Sequence, residues 1–185
     1  MSLIHILSAT DRPESNARKV AEYASTFFEG KAQFEIFSLM DFPLKDVYGG
    51  KYHDKPDSVK EFNRRFLAAD GFLFVIPEYN GGFPGILKVF FDYLPFPDAL
   101  QKVPVSLIGE AAGAFGALRP VEQFQQLLIY RKAYIYPERM LIQRVNDSFD
   151  PVEGMKNSKL QKTLESQLNG FPEFVDQIRQ KELAS

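Results

Sequence analysis

The chemistry-bearing residues of this sequence lie in short polar loops that interrupt apolar segments. The first loop, residues 8–16, follows an apolar run at residues 3–7 and leads into a stretch with helical spacing. Its donors are two hydroxyls, a guanidinium and an amide: Thr10, Arg12, Ser15 and Asn16. The unpaired N–H groups and positive dipole end of a helix N-terminus favour an anion, so this loop predicts a phosphate site. The alternative is an ordinary helix capped by Ser15 or Asn16, with exposed charges.

A second loop, residues 77–83, separates a buried strand from a helix. Residues 71–76 form an unbroken apolar run, which is typical of a strand buried on both faces. From residue 84 onward, apolar positions recur at helical spacing, and Pro84 suits a first helical turn. The asparagine and glycines of this loop permit positive φ and let a ligand approach the main chain. An ordinary strand-to-helix turn is the alternative.

A third loop, residues 109–116, consists almost entirely of small residues and follows another apolar strand. Its glycines, including Gly109 and Gly113, would let a ligand approach closely. Close packing of a helix against a strand is the alternative explanation for such a run.

Composition excludes several classes of function. Lys and Arg number 22 against 24 Asp and Glu, so no general basic field draws nucleic acid or anionic membrane. The absence of cysteine removes thiol nucleophiles, disulfides, iron–sulfur clusters and structural zinc. His5 in an apolar strand and His53 in a loop support neither a catalytic triad nor a metal site. No apolar run approaches the roughly 20 residues of a membrane span, so we expect a cytoplasmic protein.

Strands and helices alternate along the chain, which favours a parallel sheet covered by helices on both faces. Strands are predicted at residues 3–7, 34–39, 71–76, 103–108 and 133–142. Helices are predicted after residue 16, at residues 58–69 and 84–93, after residue 116, and at residues 158–182. The remaining assignments are a long irregular loop at residues 41–57, a polar linker at residues 146–157 and an irregularity in the last helix at residues 170–172.

These elements predict one α/β domain over residues 1–185, which suits a chain of this length with 45% hydrophobic residues. The chain lacks the Gly-x-Gly-x-x-Gly fingerprint of a two-halved dinucleotide fold. A flavodoxin-like three-layer sandwich is therefore predicted, with a five-stranded parallel sheet in the order 2-1-3-4-5. Ligands of such sheets bind beyond the carboxyl ends of the strands, where the winding reverses between strands one and three. All three loops fall on that edge.

The second loop and the helix after it resemble the signature of the NADPH-dependent FMN reductase family. The matching string is Pro77, Glu78, Tyr79, Asn80 and Gly81, followed by Pro84-Gly85, Leu87-Lys88 and Asp92-Tyr93-Leu94. The resemblance implies that residues 77–81 lie against the isoalloxazine ring of FMN, with Tyr79 positioning it.

The first loop resembles the FMN-phosphate loop of the same family. The resemblance implies that the phosphate is bound by Thr10, Arg12, Ser15 and Asn16. Ala9 stands where the family commonly has glycine, and Asp11 and Glu14 add negative charge that must point away from a phosphate. The third loop matches the family only loosely, with Gly109 and Gly113 as its candidate flavin contacts.

The resemblance implies an enzyme that passes reducing equivalents from NADPH or NADH through FMN to a small acceptor. That acceptor is a quinone, an azo compound or free flavin, and the kinetics are expected to be ping-pong. No side-chain acid, base or nucleophile is required, because the flavin N5 carries the chemistry. The alternative function is a flavodoxin-like electron carrier or an FMN-binding module without NAD(P)H reductase activity of its own. A net charge of -2 is small for steering a carrier towards a basic partner.

A homodimer, or a tetramer of such dimers, is also expected from the resemblance. Apolar helix residues offer a candidate interface if they are not core residues: Phe90, Phe91, Leu94, Leu127, Leu128 and Tyr130.

Overall fold

The computed structural model describes residues 1–184, and Ser185, the last residue of the predicted domain, lies outside them. Within the described residues, five strands form one parallel sheet in the order β2-β1-β3-β4-β5. The strands of the structure are β1 (Leu3–Ser8), β2 (Gln33–Ser38), β3 (Gly71–Pro77), β4 (Pro104–Glu110), β5 (Tyr134–Ile142), β6 (Phe149–Asp150) and β7 (Gly154–Met155). The first five confirm the predicted flavodoxin-like sheet and its order.

Helices cover both faces of the sheet. They are α1 (Asn16–Ser25), α2 (Asp57–Phe66), α3 (Gly85–Tyr93), α4 (Leu118–Tyr130), α5 (Val145–Ser148) and α6 (Ser158–Leu183). Apolar residues of α1 and α6 pack on one face, and those of α2, α3 and α4 pack on the other. The result is the predicted three-layer arrangement.

The central strand β3 shows why its sequence is an unbroken apolar run. Phe72 and Phe74 pack beneath α2, α3 and α4, whereas Leu73 and Val75 pack beneath α1 and α6. Successive side chains of a strand point to opposite faces, so both sets must be apolar when both faces are covered. All four side chains are at most 1% exposed.

The carboxyl ends of β1, β3 and β4 lie side by side at one edge of the sheet. Ser8 of β1 is paired in register with Val75, and Pro77 of β3 is paired with Glu110 of β4. Neighbouring strands are about 4.8 Å apart, so the first, second and third loops begin close together. This register is what builds the site.

The two histidines lie where the sequence predicts. His5 is buried in β1 with its Nδ1 atom 2.7 Å from the carbonyl oxygen of Phe66, and His53 is exposed. His53 belongs to the long connection predicted as irregular, which begins with two short helical turns, Leu39–Asp41 and Leu44–Val47. His5 is paired in register with Phe72, near the amino end of β3.

The segment predicted as a polar linker, residues 146–157, is instead held against the protein core. It includes part of α5 and the antiparallel pair β6 and β7. The Asp150 carboxylate closes the turn between them by accepting two backbone N–H groups. Phe149 and Met155 are buried beside α1 and α6, so two apolar side chains anchor a mostly polar stretch.

The last helix, α6, continues through residues 170–172, where the sequence predicts an irregularity. Pro172 lies inside the helix, although proline removes one backbone hydrogen bond. Tertiary contacts explain the continuity: Phe171 is fully buried, and the Gln167 amide donates to the Ser106 hydroxyl and to a backbone carbonyl of β4, each at 2.9 Å.

None of the helices in the described part of the chain has the length and hydrophobicity of a membrane span.

Candidate functional site

A cavity of about 330 Å³ lies at the carboxyl edge of the sheet, between the first, second and third loops. This volume falls within the range of about 300–1,000 Å³ that is typical of ligand pockets. The sequence-predicted residues that line it are Arg12, Ser15, Asn16, Pro77, Glu78 and Tyr79. The tertiary structure therefore brings the first and second loops into one site.

The first loop presents hydrogen-bond donors at the N-terminus of α1. Ser15 is the N-cap residue, and its hydroxyl accepts the N–H of Arg18 at 3.1 Å. Asn16 begins the helix and donates its amide to the Asn146 side chain at 2.8 Å. Lys19 lies one turn after Ser15 and lines the same cavity. Arg12 and Lys19, the helix dipole and the polar side chains together make this end of the cavity suitable for an anion.

Thr10 stabilises this loop through its buried hydroxyl. It is 1% exposed, and its hydroxyl accepts the backbone N–H of Arg12 at 3.2 Å. The same hydroxyl lies 2.7 Å from the Tyr79 hydroxyl. Thr10 therefore does not line the cavity but holds the first loop to the second.

The second loop is a tight hairpin. The N–H of Tyr79 donates to the Gly82 carbonyl at 2.9 Å, and the N–H of Gly82 donates back at 3.1 Å. Asn80 and Gly81 between them have φ values of 52° and 77°. Positive φ at both central positions is the geometry of a type I′ turn, for which Asn-Gly is the preferred pair. Asn80 and Gly81 thus form the tip of the hairpin, outside the cavity lining.

Glu78 ties the second loop to its neighbours. Its backbone N–H donates to the carbonyl of Glu110 at 3.2 Å, and its carboxylate lies 3.5 Å from the guanidinium of Arg119 on α4. These contacts set the direction in which Tyr79 leaves β3.

The third loop contributes Ala111 and Ala112 to the cavity, but neither of its two predicted glycines. Gly109 lies inside β4, where a Cβ would come within 2.6 Å of the Gly116 carbonyl oxygen and 2.9 Å of Val121. Gly113 lies farther along the exposed loop, and a Cβ at that position would have no neighbouring atom within 4 Å. Close packing of strand and helix therefore explains Gly109.

Glu110, the last residue of β4, is a cavity residue that sequence reasoning missed. Its side chain is 5% exposed and lines the cavity together with Arg12 and Lys19. Burial raises the pKa of this carboxyl to about 7, against the opposing effects of the Ala17 N–H and the Arg12 guanidinium. A usable signal was present, because a carboxylate ending an apolar strand next to β3 must lie at the ligand edge.

The other polar cavity residues that were missed are Lys19 and Asn146. Asp11 points away from the cavity as predicted, but Glu14 lines it, so that part of the prediction is wrong. Lys19 could have been found from its four-residue spacing after Ser15, which places both on one helix face. Asn146 had no signal in the sequence, because its position depends on how the chain turns after β5.

A second, open groove of about 620 Å³ lies on the other side of the first loop. Asp11 lines this groove, whereas the adjacent Arg12 lines the first cavity. Its remaining walls come from residues 39–48 and from Ile86 of α3, and they mix apolar side chains with the carboxylates of Asp41 and Asp46.

The fold and the cavity define a flavodoxin-like α/β protein with a polar cavity at the point where the strand order reverses. The family model described as NADPH-dependent FMN reductase matches residues 2–147, and the chain belongs to that family. The family predicted from the sequence is confirmed. With it come an oxidoreductase class, FMN as the cofactor and NAD(P)H as the reductant.

Individual relatives agree with this assignment. The chain is 26% identical over 189 residues to the NADH-dependent flavin reductase subunit 2 of Lactobacillus johnsonii. This match covers 97% of the chain and 100% of the relative. It is 31% identical over 149 residues to a quinone reductase of Escherichia coli, covering 77% of this chain and 78% of that protein. Among solved structures, the flavoenzyme NAD(P)H:(acceptor) oxidoreductase FerB of Paracoccus denitrificans has the same fold, with a TM-score of 0.80, 21% identity and coverage of 96% and 98%.

The residues present fit FMN, apart from carboxylates that share the cavity. Arg12, Lys19, Ser15 and Asn16 form a donor set for a phosphate, and the hairpin of residues 79–82 stands beside it. Glu14 lines the cavity that would hold the anion, and the buried carboxyl of Glu110 lies in the same cavity.

The packing role of Gly109 is testable by substitution. We expect Gly109→Ala to lower the free energy of unfolding by about 1–3 kcal/mol, because the backbone at Gly116 cannot move aside without strain. Gly113→Ala is the matched control, with an expected change of less than about 0.5 kcal/mol. Urea unfolding of the flavin-free protein measures both. Equal stability of the two variants, with weaker FMN binding by Gly109→Ala, would show that Gly109 contacts the ligand instead.

Proposed function

We propose that this protein is an FMN-dependent oxidoreductase that passes reducing equivalents from NADPH or NADH to a small acceptor such as a quinone, an azo compound or free flavin. The supporting observation is the single cavity that gathers Arg12, Ser15, Asn16 and Lys19 beside the Tyr79 hairpin. Two relatives, a flavin reductase and a quinone reductase, belong to the same class of enzyme. A cytoplasmic location stays a prediction of the sequence.

When bound, FMN supplies the redox chemistry, since it accepts a hydride equivalent and gives up electrons to an acceptor. The protein has to bind the phosphate, orient the ring and leave one side of it open. We assign the phosphate to Arg12, Ser15 and Asn16, with Thr10 supporting the loop and Lys19 adding charge. Residues 77–81 would hold the ring, and the open main chain at Gly113 is the remaining candidate contact of the third loop.

The open groove beside the first loop is our candidate binding place for the reductant and the acceptor. Its walls are supplied by residues 39–48, next to Asp11 of the first loop. One groove would serve both substrates in turn, and substrates that exchange at one place give ping-pong kinetics.

The phosphate assignment predicts a loss of FMN affinity on removing its donors. Arg12→Ala should weaken FMN binding by about 1–3 kcal/mol, because it removes a charged donor from the phosphate site. Arg12→Ala combined with Ser15→Ala should weaken it further. Quenching of flavin fluorescence on titration into the flavin-free protein measures this affinity.

Arg64→Ala is the control for the loss of one positive charge, because Arg64 is exposed on α2 and pairs with Glu61. Its FMN affinity should equal that of the unmodified protein. An unchanged affinity in the Arg12, Ser15 double variant would show that the phosphate binds elsewhere.

The role of Tyr79 predicts a loss of turnover with retained FMN. Tyr79→Ala removes both the ring and its hydroxyl contact with Thr10, so the flavin loses alignment, and a misplacement of about 1 Å costs on the order of 10²-fold in rate. Tyr79→Phe keeps the ring and loses only the contact between the loops, so its effect should be smaller. Steady-state rates with NADH or NADPH and a soluble quinone give the comparison.

Parallel double-reciprocal lines are expected for the unmodified protein in the same assay. Intersecting lines would indicate a ternary complex and contradict the shared groove. Flavin that stays oxidised after both NADPH and NADH are added without acceptor would instead favour the electron-carrier function.

A homodimer, or a tetramer of dimers, stays a prediction, but the residues proposed for its interface change. Phe90, Phe91, Leu94 and Leu128 are at most 3% exposed, so they belong to the core and not to an interface. The exposed apolar side chains of this region are Phe96, Ile129 and Tyr130, with exposures of 66%, 59% and 69%. The Phe96 and Tyr130 rings stack with centroids 6.2 Å apart, which makes one continuous apolar surface.

We expect light scattering at micromolar concentration to give at least the dimer mass. Tyr130→Asp should shift the mass towards the monomer, because a charge in an apolar interface is left without a partner. Val152→Asp, at a side chain that is 80% exposed elsewhere, should leave the mass unchanged. A monomeric mass for the unmodified protein would reject the prediction.

A further inference from the structure

The buried carboxyl of Glu110 is the feature of the cavity that the proposed function does not use. It ends β4 beside Pro77 of β3, and its side chain is only 5% exposed although it lines the cavity. The Ala17 N–H, in the first turn of α1, is close enough to stabilise the charged form of this carboxyl. Glu110 therefore shares the helix N-terminus with the proposed phosphate site.

The charged groups that line the cavity with Glu110 come from three elements, and Arg12 is the one whose charge acts on the Glu110 carboxylate. The first loop supplies Arg12 and Glu14, and α1 supplies Lys19. The second loop supplies Glu78, which is already engaged with Arg119, and Tyr79 supplies only a hydroxyl. Two cations thus face a cavity in which Glu110 is the one buried carboxyl among the described lining residues.

A phosphate dianion and an ionised Glu110 would place like charges in the same partly buried cavity. Like charges at short distance disfavour the ionised form of at least one group, and burial strengthens the effect. Arg12, whose charge acts on the ionised Glu110 carboxylate, can then serve the phosphate fully only if Glu110 becomes neutral. A protonated carboxyl also has an O–H group, which can donate to a phosphate oxygen.

We propose that FMN binding is coupled to the uptake of one proton by the Glu110 carboxylate. The proton comes from solvent and forms the carboxyl O–H bond, and no other bond changes. This inference rests on the proposed function, because it places the FMN phosphate in the cavity of Glu110. It makes Glu110 the residue that sets the pH range over which the protein holds its cofactor.

The direction of the pH dependence follows from linkage. Burial already raises the pKa of Glu110 to about 7 in the protein without ligand, and a bound phosphate should raise it further. Below its pKa of about 7 the carboxyl is protonated, and FMN binds without proton exchange. Above it a proton must be taken up, so affinity falls as pH rises, by at most about tenfold per pH unit for one proton.

The test is FMN titration of the flavin-free protein between about pH 6.5 and about pH 8.5, above the phosphate pKa of about 6. Isothermal calorimetry in two buffers of different ionisation enthalpy counts the protons taken up. We expect uptake approaching one proton per FMN near the upper limit, and a Kd that rises with pH. This measurement needs no variant.

Glu110→Gln keeps the size of the side chain and removes its titration. Its FMN affinity should be higher than that of the unmodified protein near pH 8.5 and should not vary with pH, with no proton uptake. Glu14→Gln removes a carboxylate from an exposed position of the same cavity, and it should keep the pH dependence.

The flavin-free protein offers a second readout. A carboxyl whose pKa is raised by folding contributes stability below its unfolded pKa of about 4.5, and this contribution is lost as pH rises towards 7. Glu110→Gln should therefore raise Tm near pH 8.5 and change it little near pH 5. FMN binding by the unmodified protein with no pH dependence and no proton uptake would overturn this inference and leave the proposed function intact. Failure to bind FMN at any pH would overturn the proposed function itself.

Discussion

A parallel sheet requires each connection to return from the carboxyl end of one strand to the amino end of the next. In this chain those connections are helices that cover both faces, so β3 at the centre is buried on both sides and must be apolar throughout. Because the order is 2-1-3-4-5, the connections after β1 and β3 leave the sheet towards opposite faces. The gap that opens between them is the cavity, and every residue of the site depends on this reversal.

Hydrogen bonds between the loops give the gap a defined shape. The Thr10 and Tyr79 hydroxyls join the first loop to the second, and the N–H of Glu78 joins the second loop to β4. The Asn16 amide reaches Asn146, so the turn after β5 also closes on the site. Polar side chains that look like ligand contacts in the sequence therefore divide into two groups. Arg12 and Ser15 face the cavity, whereas Thr10 holds the loops together.

Two electrostatic effects oppose each other in the cavity: attraction of an anion and the negative charge of an ionised Glu110. The α1 dipole, Arg12 and Lys19 attract an anion, and the buried carboxyl of Glu110 competes for the same groups. A buried carboxyl at this position does not stabilise the fold, since desolvation of its charge is costly. A binding site in which the carboxyl exchanges a proton gives that cost a function, and it connects the affinity for a phosphate ligand to pH.

The sequence by itself determined the fold class, the strand order and the two loops that carry the site. The fold class and the loops depend on local periodicity and on residue types, such as the apolar run of β3 and the Asn80-Gly81 turn, which a short stretch of chain specifies alone. The strand order was inferred from the alternation of strands and helices along the whole chain. The tertiary structure decided what depends on contacts between distant segments. Gly109 proved to be a packing residue because Gly116 and Val121 crowd it, and Phe91 and Leu128 proved to be core. The sequence could indicate that Glu110 lies at the ligand edge, but its burial and its place beside Pro77 depend on the register of β4 against β3, a long-range contact that spacing along one strand does not specify.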